Sequence, residues 1–417
     1  LYGSVWASLM PQSWSSQLRS KNLYKIKIDF RLPSVIIASK SFLIKRKQMF
    51  TSGLEFKMVH RHFDGDRSLV QVMPELHRLT YGNTKPYPFY QWSKHQEQIA
   101  EWFLRGGVHK DIVQKFSVTT GAMQNPVTIF TAVENFVLIN GRSGFEGEFI
   151  TAPQYHVFGD RFCRKVILNE KTVAEIITDA IKEGERKLKD ETGKTMRFRM
   201  MFGIDREVSP EEAVGLTRVM LNCDPDYVPG ISLVCHEPSA PPEKFVNAFH
   251  LAKSQGRKTA CHVECIKDRE ESEKDTPERI RKNFQEDLPQ LTKNLNTATH
   301  LLEVDQIDHG FGLAENPELM KAVADKGIIV TVCPGSLLAT RLIDDIKMLK
   351  IREMLDAGII VAVDVDDSIF MQTMDEVLHL YTDAYRIPPT SENLDRLKVD
   401  LAKLAKNSRL ANLRNKV

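Results

Sequence analysis

From about residue 55 onward the chain alternates short aliphatic, β-branched runs with longer stretches whose apolar positions recur at helical spacing. Eight runs read as strands: Leu54–His60, Gly147–Thr151, Met196–Phe202, Gly230–Cys235, Lys258–His262, Val304–Asp308, Gly327–Cys333 and Gly358–Val363. Between most of them lie amphipathic stretches, at Thr172–Lys189, Ser209–Leu221, Pro242–Ser254, Thr276–Leu291, Pro317–Lys326 and Ile346–Ala357. Two of these announce their own starts. Ser209 precedes Pro210, Glu211 and Glu212, a capping side chain followed by Pro and then by acids in the first turn. Asn316-Pro317-Glu318 repeats the device. Strand–helix alternation of this kind predicts an α/β fold, a closed parallel (β/α)8 barrel of the TIM type.

Residues 66–144 are too long for one crossover helix and are expected to form a helical insertion over the barrel mouth. Residues 374–417 add one or two helices outside the barrel and end in a basic tail. Residues 49–417 thus read as a single barrel domain. Residues 1–48 are a different material, Ser-rich, with nine Lys or Arg against one acid, Asp29. They read as a leader that is disordered or not native, or alternatively as an organellar transit peptide. The expected location is cytoplasmic, or organellar if that leader is a working signal.

Composition narrows the classes. At 42% hydrophobic and 27% charged, the 417-residue chain is ordinary for a globular protein with a sizeable core. A net charge of +2 gives no field that would favour nucleic acid or an anionic membrane, so neither is expected as a partner. No apolar run approaches the roughly 20 residues of a membrane helix. The six cysteines are scattered without a paired motif and read as free thiols in a reducing compartment.

In a barrel of this type chemistry gathers at the C-terminal strand ends. His60 and His62 follow the first predicted strand, and alternate strand residues share a face, so both imidazoles aim to one side. Two imidazoles with a further His and a carboxylate make a nest for a catalytic divalent metal with one position open for water. His262-Val263-Glu264 follows Lys258–His262, His309 follows Val304–Asp308, and Asp366-Asp367 follows the last strand. His236 and Glu237 follow Gly230–Cys235 and read equally well as a solvated loop.

This ordered set resembles the adenosine/adenine deaminase family of metal-dependent aminohydrolases, over roughly residues 55–375. Glu148-Phe149-Ile150-Thr151-Ala152-Pro153-Gln154, Gln306-Ile307-Asp308-His309-Gly310 and Val332-Cys333-Pro334 with Ser336 carry it. Asp308 before His309 and the segment Pro241-Pro242-Glu243-Lys244-Phe245 lean towards the adenine branch. The resemblance implies one Zn²⁺ per chain on His60, His62, His262 and Asp366, and a small-molecule purine as substrate. It implies His309 as the base that deprotonates water, Glu264 as the acid that protonates the ring, and Asp367 as the group orienting nucleophile and purine. It puts Cys235 against the purine edge and Asp64 on the sugar side of the pocket. The reaction implied is hydrolytic deamination of adenine or an adenosine-like purine. The alternatives are a modified purine or nucleotide as substrate, or a relative that binds metal or purine without turnover.

The sequence departs from the family at one decisive point. The family reads His-x-x-Glu after the strand that here ends at His262, whereas this chain has Cys261-His262-Val263-Glu264-Cys265. Aligning the glutamates puts Cys261 in the ligand position; aligning the histidines leaves Cys265 where the acid belongs. The expectation kept is His262 as ligand and Glu264 as acid. Cys235, Val263, Leu337 and Ser368 also replace residues usual in the family.

Overall fold

The computed structural model describes residues 126–142, 146–157, 169–264, 276–366, 374–386 and 389–413. The predicted strand Leu54–His60, most of the 66–144 insertion and the leader lie outside the described residues, as do His60, His62, Asp64 and Asp367.

Among the described residues, seven parallel strands form one sheet in sequential order: β1 (Gly147–Thr151), β2 (Phe198–Asp205), β3 (Gly230–Val234), β4 (Lys258–His262), β5 (Gln306–Asp308), β6 (Ile329–Val332) and β7 (Ile360–Val363). Each corresponds to a predicted run, with ends displaced by up to three residues. Parallel neighbours need crossovers. These contain α2 (Glu170–Thr192), α3 (Pro210–Leu221), α4 (Val246–Ser254), α5 (Pro277–Asn296), α6 (Pro317–Asp325), then α7 (Pro334–Ala339) and α8 (Ile351–Asp356). Before β1 lies α1 (Pro126–Arg142), packed along α2, and after β7 come α9 (Met374–Tyr385) and α10 (Ser391–Leu413).

The helix starts behave as their sequence requires. Ser209 accepts from the Glu212 amide while Glu212 reaches back to the Ser209 amide, closing a capping box. Asn316 accepts from the Leu319 amide at the head of α6. The short α7 was not expected, because six residues are too few to show a period.

Both faces of the sheet are covered. Every residue of β2 is buried, as a parallel sheet between two apolar layers demands. Met200, Phe202, Leu233, Cys261, Ile307 and Val330 belong to the helix-facing core. The alternate set faces inward and is partly polar. On it, the Lys258 ammonium of β4 meets the Glu148 carboxylate of β1 at 2.6 Å, both side chains nearly buried. In a flat sheet strands three places apart would stand about 14 Å from one another. The sheet is therefore curled around this pair, concave side inward. Gly230 sits at the tightest part of the wall, where an added Cβ would lie 1.8 Å from the Lys258 carbonyl oxygen.

Candidate active site

Three side chains converge at the C-terminal ends of β4 and β5. His262 is the last residue of β4. Beyond it the chain stays paired to the next strand: the Val263 amide donates to the Asp308 carbonyl at 3.0 Å, and the Phe311 amide donates to the Val263 carbonyl at 3.1 Å. Alternation consequently continues past the strand end. Cys261 and Val263 join the helix-facing core, and His262 and Glu264 turn to the concave side. The shortened spacing therefore leaves His262 and Glu264 on one face. Cys261 is committed to the core. Burial raises its thiol to about 12, which removes it further from metal chemistry.

His309 arrives from the end of β5 in a left-handed backbone conformation, φ +64°. A non-glycine residue there costs roughly 1 kcal/mol or more and persists where surrounding structure enforces it. Gly310 follows with φ +57°, and a Cβ on it would lie 2.5 Å from Val330 Cγ1, so the position requires glycine. The turn sets the His309 ring edge-on to His262, centroids 4.9 Å apart. His309 Nδ1 stands 3.4 Å from Glu264 Oε2.

The ligand atoms of His262, Glu264 and His309 all lie within 4.8 Å of one another. His309 Nδ1 is buried and makes no hydrogen bond with good geometry, its near neighbour being the Glu264 carboxylate. Burial and the neighbouring His309 hold His262 well below its usual pKa, hence as the neutral imidazole that can ligate. Burial lifts the Glu264 carboxyl to about 7. For His309 burial works downward, but the carboxylates of Glu264, Asp366 and Asp308 outweigh it and raise the ring above its ordinary value. The donor set suits a divalent cation that takes nitrogen and oxygen ligands. Side-chain exposure is 20% at His262 and 23% at Glu264.

Asp308 supports the floor. Its carboxylate accepts from Thr331 Oγ1 at 2.7 Å, Gln306 Nε2 at 2.7 Å and Ser232 Oγ at 3.3 Å. The same carboxylate lies 3.6 Å from His262 Nε2. Asp366, just past β7, acts electrostatically on all three clustered groups. Cys235 follows β3 with φ +69°. Its thiol, raised by burial, keeps company with Tyr155, whose hydroxyl donates to Asp205 at 2.5 Å.

Sequence reasoning gave Asp308 no role of its own and read Glu237 equally well as a strand-end group or a solvated loop residue. Glu237 is 4% exposed and accepts the Glu264 amide at 2.8 Å. Arg206, 1% exposed, donates to the His262 carbonyl at 2.6 Å. The only early signal for either was a charged residue placed just beyond a strand end.

The adenosine deaminase family model matches residues 291–411. An adenine deaminase of Psychrobacter cryohalolentis is 28% identical over 234 residues, 56% of this chain and 60% of that protein. The chain spans about half the length of the curated relatives it matches. Among solved structures, a zinc-bound amidohydrolase from Burkhoderia ambifaria has a TM-score of 0.56 at 20% identity, covering 81% of this chain and 80% of its own. The adenine deaminase of Arthrobacter aurescens has a TM-score of 0.55 at 18% identity, covering 80% and 93%. In sequence the chain is thus similar to the adenosine deaminase family over residues 291–411 and to adenine deaminases over about half its length, and in fold it is similar to amidohydrolase structures.

Proposed function

We propose that this chain is a metal-dependent purine aminohydrolase that replaces the 6-amino group of adenine, or of an adenosine-like purine, with oxygen from water and releases ammonia. The observation that carries the reading is the meeting of His262, Glu264 and His309 within 4.8 Å of one another. The fold in this reading is a single barrel domain over 49–417, closed by Leu54–His60 as its eighth strand and capped by the insertion that follows. His60, His62, His262 and Asp366 would hold one Zn²⁺. Such an ion, when bound, brings the pKa of water towards about 7 and so makes hydroxide available at neutral pH.

The remaining work falls to side chains. A carboxyl raised to about 7 is protonated in about half of the molecules at neutral pH, so Glu264 can give that proton to the ring nitrogen beside the attacked carbon. That proton lets the ring accept the electron pair displaced by water addition. His309, next to Glu264, takes a proton from the attacking water. His309 then passes its proton to the departing amine, the C6 hydroxyl proton returns to Glu264, and ammonia leaves as the carbonyl forms and the ring regains its aromaticity. Asp367 orients the nucleophile and the purine, Cys235 lines the purine edge, and Asp64 faces the side where a sugar would sit.

Free adenine is favoured over adenosine by the adenine deaminases among the relatives and by Asp308 preceding His309. A modified purine or nucleotide is the alternative substrate. A second reading, binding without turnover, is favoured by the altered His262-Val263-Glu264 spacing. The test is ammonia release from adenine, adenosine and AMP by the zinc-loaded protein. Release from one of them supports the proposal and selects the substrate. Stoichiometric zinc with no release from any would contradict it in favour of the binding reading.

A further inference from the structure

We propose that Arg206 and Glu237 are positioning residues that hold the shortened His262-Val263-Glu264 stretch extended, so that Glu264 serves the same centre as His262. The inference rests on the reading of Glu264 as the proton donor.

The stretch lies beyond the end of β4, where a chain ordinarily turns away from its sheet. Here each of four successive backbone groups has a partner. The His262 carbonyl accepts from Arg206 Nη2 at 2.6 Å. The Val263 amide and carbonyl pair with Asp308 and Phe311. The Glu264 amide donates to Glu237 Oε2 at 2.8 Å. The two Val263 bonds prolong the ladder to β5, but the two flanking bonds are made by side chains from other strand ends. Arg206 follows β2 and Glu237 follows β3.

Both side chains are themselves fixed. The other nitrogen of the Arg206 fork, Nη1, donates to the Ala240 carbonyl at 3.0 Å, which ties the loop carrying Glu237 to the stretch that Glu237 holds. Glu237 Oε1 accepts from Asn294 Nδ2 of α5 at 2.8 Å, and Asn294 Oδ1 accepts from Gln290 Nε2 at 2.8 Å. Burying a guanidinium and a carboxylate is costly unless hydrogen bonds repay the lost hydration. Both charges direct those bonds at the stretch containing the proton donor. An error of about 1 Å in a reacting group costs on the order of a hundredfold in rate, and a one-residue shortening creates the conditions for such an error.

The test compares Glu237→Leu, Glu237→Gln and Arg206→Lys in the full chain, with adenine, adenosine and AMP as substrates and zinc content measured in parallel. Leucine removes the acceptor for the Glu264 amide, so kcat should fall about a hundredfold with KM within about twofold and zinc retained. Glutamine keeps an amide oxygen for that role, and Asn294 and Gln290 can both turn their amides to match, so most of the loss should be recovered. Lysine cannot span both carbonyls as the guanidinium fork does, and kcat should fall about tenfold. Unchanged kcat in Glu237→Leu, or a loss that glutamine does not rescue, would overturn the proposal. If Glu237→Leu does not fold, Arg206→Lys decides, and unchanged kcat there overturns it equally.

Hydrogen exchange at the Glu264 amide, resolved by fragment mass spectrometry, separates this idea from the functional reading. A wild type inactive on all three purines defeats the assignment of Glu264 as donor. Faster exchange at Glu264 in Glu237→Leu, reversed in Glu237→Gln, still upholds the hold on the backbone; equal exchange in all three proteins overturns it.

Discussion

Cys261 and His262 are sequence neighbours on opposite faces of the sheet. Cys261 is packed in the helix-facing core, and His262 Nε2 lies 3.6 Å from the Asp308 carboxylate on the concave side. Either residue could occupy the ligand position by sequence alignment alone. The two faces assign different consequences to each. Cys261→Ala should retain zinc and turnover and lose about 1 kcal/mol of stability. His262→Ala should lose zinc and turnover together. Metal analysis and thermal melting of the two variants check this, and zinc loss in Cys261→Ala would reverse the assignment.

Glu264→Gln should bind zinc as the wild type does and lose kcat by about 10²–10⁴, the usual contribution of a positioned acid. The pH profile follows from two opposed requirements. Glu264 must carry its proton, so activity declines above about 7, where that carboxyl ionises. His309 must be free of its proton, and its raised pKa makes activity decline on the acid side. A narrow bell centred near neutrality is expected, its two limbs belonging to the coupled pair. In the zinc-free protein, Glu264 also favours the folded state below its unfolded value of 4.5 and gives up that contribution as pH rises through about 7. Glu264→Gln should flatten that slope in a series of melting curves.

Asp308→Ala should destabilise the fold by about 3–5 kcal/mol, because it orphans buried donors on Thr331, Gln306 and Ser232 at once. Asp308→Asn should cost less, since its amide oxygen still accepts from two of them. Denaturant unfolding of the two variants distinguishes this floor from a dispensable one.

Lys258→Met should cost a further 3–5 kcal/mol or so, because it leaves the Glu148 carboxylate buried without its partner. Exchanging both, with Glu148→Leu added, should recover much of the loss. A double-mutant cycle on unfolding free energy measures the coupling; additive losses would mean that the pair does not organise the interior of the curled sheet.

The strands from Gly147 onward were legible because each is a short aliphatic run between helical periods, and the caps at Ser209 and Asn316 were legible because capping is local chemistry. His262, Glu264 and His309 could be named because strand ends collect reactive side chains. Their mutual arrangement could not, since whether Glu264 shares a face with His262 depends on how far the ladder runs past β4, and the bonds to Asp308 and Phe311 decide that. Arg206 escaped notice, and Glu237 stayed undecided between a strand-end group and a solvated loop, for a similar reason. In sequence, Asp205-Arg206-Glu207 and His236-Glu237-Pro238 look like solvated turns. Only contacts across three strand ends and α5 bury those charges.

The central claim is that the shortened spacing still builds one metal centre with Glu264 beside it. A crystal of the zinc-loaded protein, with an anomalous difference map recorded at the zinc edge, tests this most directly. The account expects one strong peak at about 2.0–2.1 Å from a ring nitrogen of His262 and at bonding distance from Asp366, with the Glu264 carboxylate facing the open side. A peak on Cys261, or no peak near His262, would contradict it.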